Sequence, residues 1–133
     1  EEDRLALIEG IKDGTIEMLA TDHAPHSLEE KSKGFLSLNG IVGIETAFPV
    51  MYTHFVKTGV ITLEKLIQLL AINPRKRFGI PMGDDFTVWD LKKEFVVKPD
   101  NFVSKGRATP FTGWKLNGQC VLTVCDGNVV YGR

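Results

Sequence analysis

The sequence has few cysteine and histidine side chains, which are common zinc ligands. It has two cysteines, Cys120 and Cys125, and three histidines, with no zinc-type cysteine spacing and no H-x-H or H-E-x-x-H pair. Because a zinc site needs three or four protein ligands, we do not expect this sequence alone to build one. The cysteines lie five positions apart in a strand-like run, and this odd spacing puts them on opposite faces. We therefore expect free thiols, which suit a reducing cytoplasm.

The sequence also lacks a large net charge and long apolar runs. The formal net charge is -1, whereas a dedicated nucleic-acid or anionic-membrane surface needs a basic excess. No apolar run approaches the roughly 20 residues of a membrane-spanning helix, and no secretory signal is recognisable. We therefore expect no nucleic-acid partner, no membrane association and a cytoplasmic location.

The first 80 residues alternate helical and strand-like patterns, which is typical of β/α proteins. Their predicted elements are a helix over 3–13 ending at Gly14, a short strand over 16–20, a long loop over 21–40 and a helix from Ile44 to Phe55. A shorter helix capped by Thr62 follows; Asn73–Pro74 breaks it and opens a last turn through Phe78.

Near residue 80 the pattern changes to that of antiparallel β-structure. Strands are predicted at 86–91, 94–97, 121–125 and 129–131, with a loop over 101–113. Asp126-Gly127-Asn128 stands between the last two strands and is a strong hairpin signal. The fold class is therefore α/β, with a β/α region over 1–80 and an antiparallel β region over 81–133.

The chemistry-bearing motif is the run Thr21-Asp22-His23-Ala24-Pro25-His26. It lies where the predicted short strand meets the long loop, and α/β proteins place catalytic groups at such carboxyl ends of strands. A carboxylate at this position binds a divalent metal, and it also accepts and returns a proton. Asp22 is therefore the candidate catalytic residue and metal ligand.

Each of these residues also has a purely structural interpretation. Asp22 is a good turn or cap residue, and His23 more often packs or caps a helix than binds a ligand. His26 alone would more often be a solvated loop residue, and His54 lies at a helix edge. These alternatives remain open on spacing alone.

Residues 7–10, 13–16 and 20–26 together resemble the eighth-strand region of the class I dihydroorotases, which are amidohydrolases. The match continues in order through Glu29-Glu30-Lys31, Gly40-Ile41-Val42-Gly43-Ile44-Glu45-Thr46-Ala47, Asn73-Pro74, Val88-Trp89-Asp90-Leu91, Thr109-Pro110-Phe111-Thr112-Gly113 and Asp126-Gly127-Asn128-Val129-Val130. The match covers essentially the whole chain. Its specific motifs are Asp-His-Ala-Pro-His over 22–26 and Gly-x-x-Gly-x-Glu-Thr-Ala over 40–47.

The resemblance implies a metal-dependent (β/α)₈ TIM barrel with one or two zinc ions and a small flanking antiparallel β domain. It implies interconversion of N-carbamoyl-L-aspartate and (S)-dihydroorotate in pyrimidine synthesis. Asp22 would bind the metal and act as general base and acid. His26 would contact the substrate, and Asn39 and Gly40 would contact it through the backbone.

The family's other metal ligands are expected upstream of residue 1. The chain would then be a C-terminal piece: strand eight and the closing helices over 1–80, and part of the β domain over 81–133. We expect such a piece to be inactive alone and to need the remaining barrel portion as a partner. A homodimer and aspartate transcarbamoylase are further expected partners. Alternatives are a hydantoinase or allantoinase, and an inactive homologue with a scaffolding role.

Overall fold

The computed structural model describes residues 1–132, so Arg133, the last residue of the predicted β region, lies outside the described residues. Helices come first along the chain and an antiparallel sheet follows. The α-helices are α1 (Glu2–Asp13), α2 (Leu28–Lys31), α3 (Ile44–Met51), α4 (Leu63–Ile67) and α5 (Asn73–Phe78). The strands are β1 (Phe86–Val96), β2 (Lys115–Cys125) and β3 (Asn128–Gly132). Short 3-10 turns lie at Gly34–Leu36 and Pro99–Asn101, and π-helical turns at Tyr52–Val56 and Gln68–Ile72.

Helices α1 and α3, and the start of α4, lie much as the sequence predicts. α1 ends at Asp13, and Gly14 follows with φ 93, a left-handed conformation that suits glycine. Thr62 accepts a hydrogen bond from the Lys65 amide and thereby caps α4. α3 continues directly into a π-helical turn, so the helix covers the whole predicted apolar stripe from Ile44 to Phe55.

The predicted break at Asn73–Pro74 is wrong, but the last helical turn predicted through Phe78 is present as α5. The helical backbone runs from α4 through Gln68–Ile72 into α5 and ends only at Gly79, where φ is 65. Pro74 lies in the first turn of α5, where a proline ring is tolerated because its fixed φ is already helical. Within residues 1–132, no helix combines the length and apolar character needed to cross a membrane.

The main hydrophobic core lies among the helices. Ile11, Ile61, Leu66 and Leu69 form its buried centre, and the last two have no exposed surface. Ile16, Leu19 and side chains of α3 and its π-helical turn pack around them. Burial of an aliphatic side chain of this size stabilises a fold by about 1.5–3 kcal/mol. This packing therefore anchors the segment that leads to the candidate motif.

Residues 16–20 do not form a strand within the described residues, contrary to the prediction. A strand requires a hydrogen-bonded neighbour. Instead, the Ile16 amide donates to the Gly10 carbonyl at 2.7 Å, and the Leu19 amide donates to the Leu69 carbonyl at 3.2 Å. Ile16 and Leu19 of this run are half-buried against the helices, but among residues 1–132 no strand lies beside it.

The sheet has the order β1-β2-β3, and both pairings are antiparallel. The strands predicted separately at 86–91 and 94–97 belong to one strand, because the register shifts just after Asp90 without a turn. The Asp90 carboxylate accepts hydrogen bonds from the amides of Lys92 and Lys93 at 3.0 and 3.1 Å. These bonds satisfy amides that the irregularity removes from the ladder.

The predicted hairpin is confirmed. Asp126 and Gly127 connect β2 to β3 with φ values of 48 and 73. Two consecutive positive φ values are the signature of a type I′ turn, whose twist matches that of the flanking strands. Cys120 and Cys125, both on β2, are free thiols as predicted.

Aromatic and polar contacts join the sheet to the helices. The rings of Phe48 and Trp89 stack with centroids 4.1 Å apart. The Asn117 amide donates to Thr53 Oγ1 at 2.8 Å, and Lys57 Nζ donates to Asn117 Oδ1 at 2.6 Å. The first bond satisfies the backbone amide of Asn117 and the second satisfies its buried side chain, as burial requires. The sheet is thereby fixed against α3, and the loop over 101–113 is held near the candidate motif.

Candidate active site

Two segments that are distant in sequence lie side by side at the candidate site. Residues 21–26 and 39–43 make one parallel bridge, between His23 and Ile41. The Ala24 amide donates to the Ile41 carbonyl at 2.9 Å, and the Ile41 amide donates to the Asp22 carbonyl at 3.3 Å. Asp22 and His26 are thereby placed beside the segment that contains Asn39 and Gly40.

Glycines make this close approach feasible. A Cβ atom added at Gly40 would lie 2.3 Å from the Ala24 Cβ, and one added at Gly43 would lie 2.4 Å from the Thr21 carbonyl oxygen. Gly40 also has φ 113, a conformation that other residues rarely adopt. The Gly-x-x-Gly motif therefore has a structural reason, namely that both glycines touch the backbone around Asp22.

Asp22 is exposed and has φ 48. A positive φ is uncommon outside glycine, although aspartate and asparagine tolerate it better than most residues. Backbone conformations of this kind cluster at functional sites, where surrounding contacts hold them. Asp22 therefore combines a strained backbone with a solvent-accessible carboxylate, which suits a group that binds or exchanges protons with a ligand.

His23 is half-buried and has a structural partner. Its Nδ1 atom accepts hydrogen bonds from the amides of Gly43 and Ile44, each at 3.3 Å. These amides begin α3, where no intrahelical acceptor exists for them. The capping interpretation of His23 is therefore confirmed.

His26 lies at the start of the long loop, where the structure contains an unpredicted short helix, α2. Ser27 and Glu30 form a reciprocal capping box around its first turn. Hydrogen bonds from the amide and the hydroxyl of Ser27 lower the pKa of Glu30, and the nearby His26 lowers this pKa further. His26 Nδ1 lies 3.7 Å from Glu30 Oε2, so the imidazole of His26 is next to the capping box.

Asn39 is exposed at the end of the long loop. Just before it, the Leu38 carbonyl accepts a hydrogen bond from Lys31 Nζ at 2.6 Å. This bond ties the end of the loop to the end of α2, and so returns Asn39 and Gly40 towards the Asp22 turn.

A third segment supports the site from the β region. A Cβ atom at Gly106 would lie 2.7 Å from the Pro25 carbonyl carbon, so the loop over 101–113 packs directly on the Asp22-to-His26 turn. Glu45 accepts hydrogen bonds from the amides of Val103 and Ser104, both at 3.0 Å. Sequence reasoning did not identify Gly106 or Glu45 as site residues. The available signals were that Gly106 is a glycine in a loop and that Glu45 belongs to the family motif over 40–47. The sequence does not show that these two segments are in contact.

The residues of this chain do not by themselves fit a zinc ion at Asp22. Among residues 1–132, three potential ligand atoms come close together only at Asp85, Cys125 and Asp126, where the residue before β1 lies beside the exposed β2–β3 hairpin. Near Asp22, His23 Nδ1 is already engaged by two amides. One carboxylate is too few, because zinc takes four ligands, of which catalytic sites supply three from the protein.

A large cavity lies elsewhere in the described residues. It has a volume of about 680 Å³ and is lined by α3, the sheet and residues near the start of the loop over 101–113. Asp22, His26, Asn39 and Gly40 are not in its lining. Of these four residues, Asp22 and Asn39 are exposed, and His26 and Gly40 are half-buried.

Comparison with known proteins bears on this arrangement. The model of the amidohydrolase family matches residues 1–130. The dihydroorotase of Brevibacillus brevis is 51% identical over 138 residues, which cover 98% of this chain and 32% of that protein. The chain spans about a third of the length of the curated relatives it matches.

Solved structures agree with the fold. The L-hydantoinase of Arthrobacter aurescens superposes with a TM-score of 0.85 at 31% identity, covering 96% of this chain and 31% of that one. The inactive dihydroorotase-like domain of a CAD-like multifunctional protein from Chaetomium thermophilum has a TM-score of 0.69 at 25% identity, covering 96% and 35% respectively. The resemblance to dihydroorotases is confirmed by this identity over nearly the whole chain, and the chain belongs to the amidohydrolase family.

Proposed function

We propose that this chain is the C-terminal third of a dihydroorotase, which interconverts N-carbamoyl-L-aspartate and (S)-dihydroorotate in de novo pyrimidine (UMP) biosynthesis. The observation that carries the proposal is the pairing of the Asp22-to-His26 turn with the Gly40 segment. The identity of about half the residues to named dihydroorotases supports it. Residues 1–80 would form the end of a (β/α)₈ barrel, and 81–133 would form part of a small β domain.

Asp22 is the proposed proton carrier. In the hydrolytic direction, water attacks the ring carbonyl carbon and loses a proton to the Asp22 carboxylate. The carbon–nitrogen bond then breaks, and Asp22 returns the proton to the departing amide nitrogen. A positioned acid or base of this kind contributes about 10²–10⁴-fold to the rate. The exposed carboxylate at φ 48 supports this role because it is free to meet a substrate.

His26, Asn39 and Gly40 are the proposed substrate-binding residues. His26 lies next to Glu30 of the α2 capping box. Gly40 packs on Ala24, which stands between Asp22 and His26 in the sequence. The substrate would therefore lie against a surface to which both segments contribute. Positioning of reactants in this way supplies much of the rate enhancement of enzymes.

We also propose that the full-length protein binds one or two zinc ions. Amidohydrolases are generally metal-dependent. Asp22 would be the only ligand from residues 1–132, and the other ligands would come from the remaining barrel portion. The free cysteines are compatible with the proposed cytoplasmic location. A homodimer and an aspartate transcarbamoylase partner stay predictions.

Two alternatives rest on specific observations. A hydantoinase or allantoinase activity is favoured by the structural similarity to an L-hydantoinase. An inactive scaffolding role is favoured by the similarity to an inactive dihydroorotase-like domain. The higher identity to dihydroorotases argues for the proposed function over both.

Substrate profiling of the full-length protein tests the proposal. We expect zinc-loaded protein to hydrolyse dihydroorotate with a kcat/KM about a hundredfold above that for hydantoin, dihydrouracil or allantoin. Faster turnover of one of these three would favour the hydantoinase-type alternative, and no turnover would favour the inactive homologue. The isolated 133-residue chain should be inactive, so measurable hydrolysis by it would contradict the proposed dependence on further ligands.

A further inference from the structure

We propose that His23 is a positioning residue that holds the Asp22 turn against the start of α3. The inference rests on the proposed role of Asp22 as proton carrier. Its basis is the acceptor contact of His23 Nδ1 with the amides of Gly43 and Ile44, which lie 20 and 21 residues further along the chain.

The start of α3 has no cap of its own. Gly43 occupies the N-cap position and has no side chain to accept a hydrogen bond. A serine, threonine or aspartate, the usual capping residues, would not fit there, because a Cβ at this position would lie 2.4 Å from the Thr21 carbonyl oxygen. The acceptor must therefore come from another segment, and His23 provides it.

The contact defines the state of the imidazole ring. Because Nδ1 accepts hydrogen bonds, it carries no proton, and the neutral ring then carries its hydrogen on Nε2. His23 acts through the position of its neighbours and does not touch the reacting atoms through Nδ1.

Asp22 is the neighbour that this contact controls. Its φ of 48 is uncommon outside glycine, and the contacts of the neighbouring segments hold the turn in this conformation. The Asp22 carbonyl accepts from the Ile41 amide on one side, and the His23 side chain is fixed to α3 on the other. Loss of the His23 contact would let the turn relax and would move the Asp22 carboxylate away from the substrate.

Two variants of the full-length protein separate this role from mere packing. In His23→Asn, the side-chain oxygen is bonded to Cγ, as Nδ1 is in histidine, so it still accepts the two amides. His23→Leu keeps a branched shape but has no acceptor. We expect kcat for dihydroorotate to fall about 10–100-fold in His23→Leu, with KM changed about threefold or less, because orientation of Asp22 is lost. We expect His23→Asn to retain kcat within about threefold of the wild type.

Spectroscopy gives a readout that does not depend on turnover. In ¹⁵N spectra of the wild-type imidazole, His23 should show a protonated Nε2 and an unprotonated Nδ1. The amide signals of Gly43 and Ile44 should move in His23→Leu and stay near their wild-type positions in His23→Asn.

The outcomes distinguish the inference from the proposed function. Normal kcat in His23→Leu, or equal losses of kcat in both variants, would overturn the positioning role. A wild-type protein that hydrolyses no dihydroorotate would overturn the proposed function instead, and the amide signals would then decide whether His23 holds α3. If neither variant folds, the wild-type tautomer decides, and a protonated Nδ1 would overturn the inference.

Discussion

At the residue scale, the candidate site depends on small residues that let three segments meet. Gly40 and Gly43 allow the 39–43 segment to contact the backbone around Asp22, and Gly106 allows the β-region loop to contact Pro25. At each of the three glycines, an added Cβ atom would lie less than 3 Å from the neighbouring segment, which is too close for a real side chain. The position of Asp22 is therefore set by backbone packing from both parts of the chain.

Replacement of Gly106 tests this packing. In Gly106→Ala, the new Cβ would overlap Pro25, so the Asp22-to-His26 turn must shift. We expect kcat/KM of the full-length protein to fall about 10–100-fold, because small misplacements of reacting groups are costly. Gly83→Ala is the matched control, since nothing lies within 4 Å of a Cβ at Gly83. Equal activity of the two variants in a dihydroorotate assay would refute the packing argument.

The sequence predicts some of these residues and not others. Asp22 and His26 follow from a motif at the end of an apolar run, and the family resemblance assigns their roles. The capping role of His23 is one of two interpretations that the sequence leaves open. Which helix it caps depends on a contact across 20 residues, and local patterns contain no information on such contacts.

At the scale of elements, local capping chemistry and hydrogen-bonded neighbours decide where prediction succeeds. α1, the Thr62 cap and the Asp126-Gly127 hairpin are local features, and the sequence predicts all three. α2 also has a local signal, Ser27 followed three residues later by Glu30, but its 4 residues are too few to show an apolar periodicity. The strand predicted over 16–20 fails because strand formation depends on partners that the local sequence does not specify.

The capping box of α2 predicts a dependence on pH. The pKa of Glu30 is lowered in the folded state from its ordinary 4.5, mainly by the Ser27 hydrogen bonds. A lowered folded pKa means that the stabilising contribution is present above the unfolded pKa and is lost as pH falls through the folded pKa. α2 should therefore loosen in acid, below the ordinary range of glutamate.

The amide signal of Ser27 in ¹⁵N-serine-labelled full-length protein measures this change. As the pH falls below the ordinary glutamate pKa of 4.5, we expect it to move with the titration of Glu30. Glu30→Gln is the control, because glutamine still closes a capping box but does not titrate. A Ser27 signal that is constant with pH in the wild type, or that moves equally in Glu30→Gln, would contradict the assignment.

At the scale of the whole molecule, the chain exposes much apolar surface. Large hydrophobic side chains are exposed on the helices, on the long loop and on the sheet, and Phe35, Leu36 and Leu28 are each more than three-quarters exposed. Patches of this kind mark surfaces that contact other protein. This agrees with a chain that matches about a third of its relatives' length.

The exposed surface predicts the behaviour of the 133-residue chain in isolation. We expect it to bind the dye ANS and to self-associate, because apolar surface remains in contact with water. Sedimentation and ANS fluorescence of the isolated chain, compared with those of the full-length protein, provide the test. A monodisperse 14.8 kDa monomer that leaves ANS fluorescence unchanged would contradict this expectation.

The overall class of the fold was predictable, and its assembly was not. Helix-rich and strand-rich halves follow from periodicity, and the change near residue 80 agrees with the end of α5 at Phe78 and the start of β1 at Phe86. The contacts that join the halves, such as Phe48 with Trp89, arise from tertiary packing. The barrel assignment of residues 1–80 comes from the resemblance and stays a proposal.

The most direct test of the account is the Asp22→Asn variant of the full-length protein. Asparagine tolerates a positive φ, so the variant removes the ionisable carboxylate with little strain. Asp126→Asn is the matched control, because Asp126 is also exposed and also has φ 48. The account predicts that Asp22→Asn lowers kcat for dihydroorotate by about 10²–10⁴-fold, while Asp126→Asn retains wild-type turnover. Turnover by Asp22→Asn within about threefold of the wild type would contradict the role of Asp22 as proton carrier.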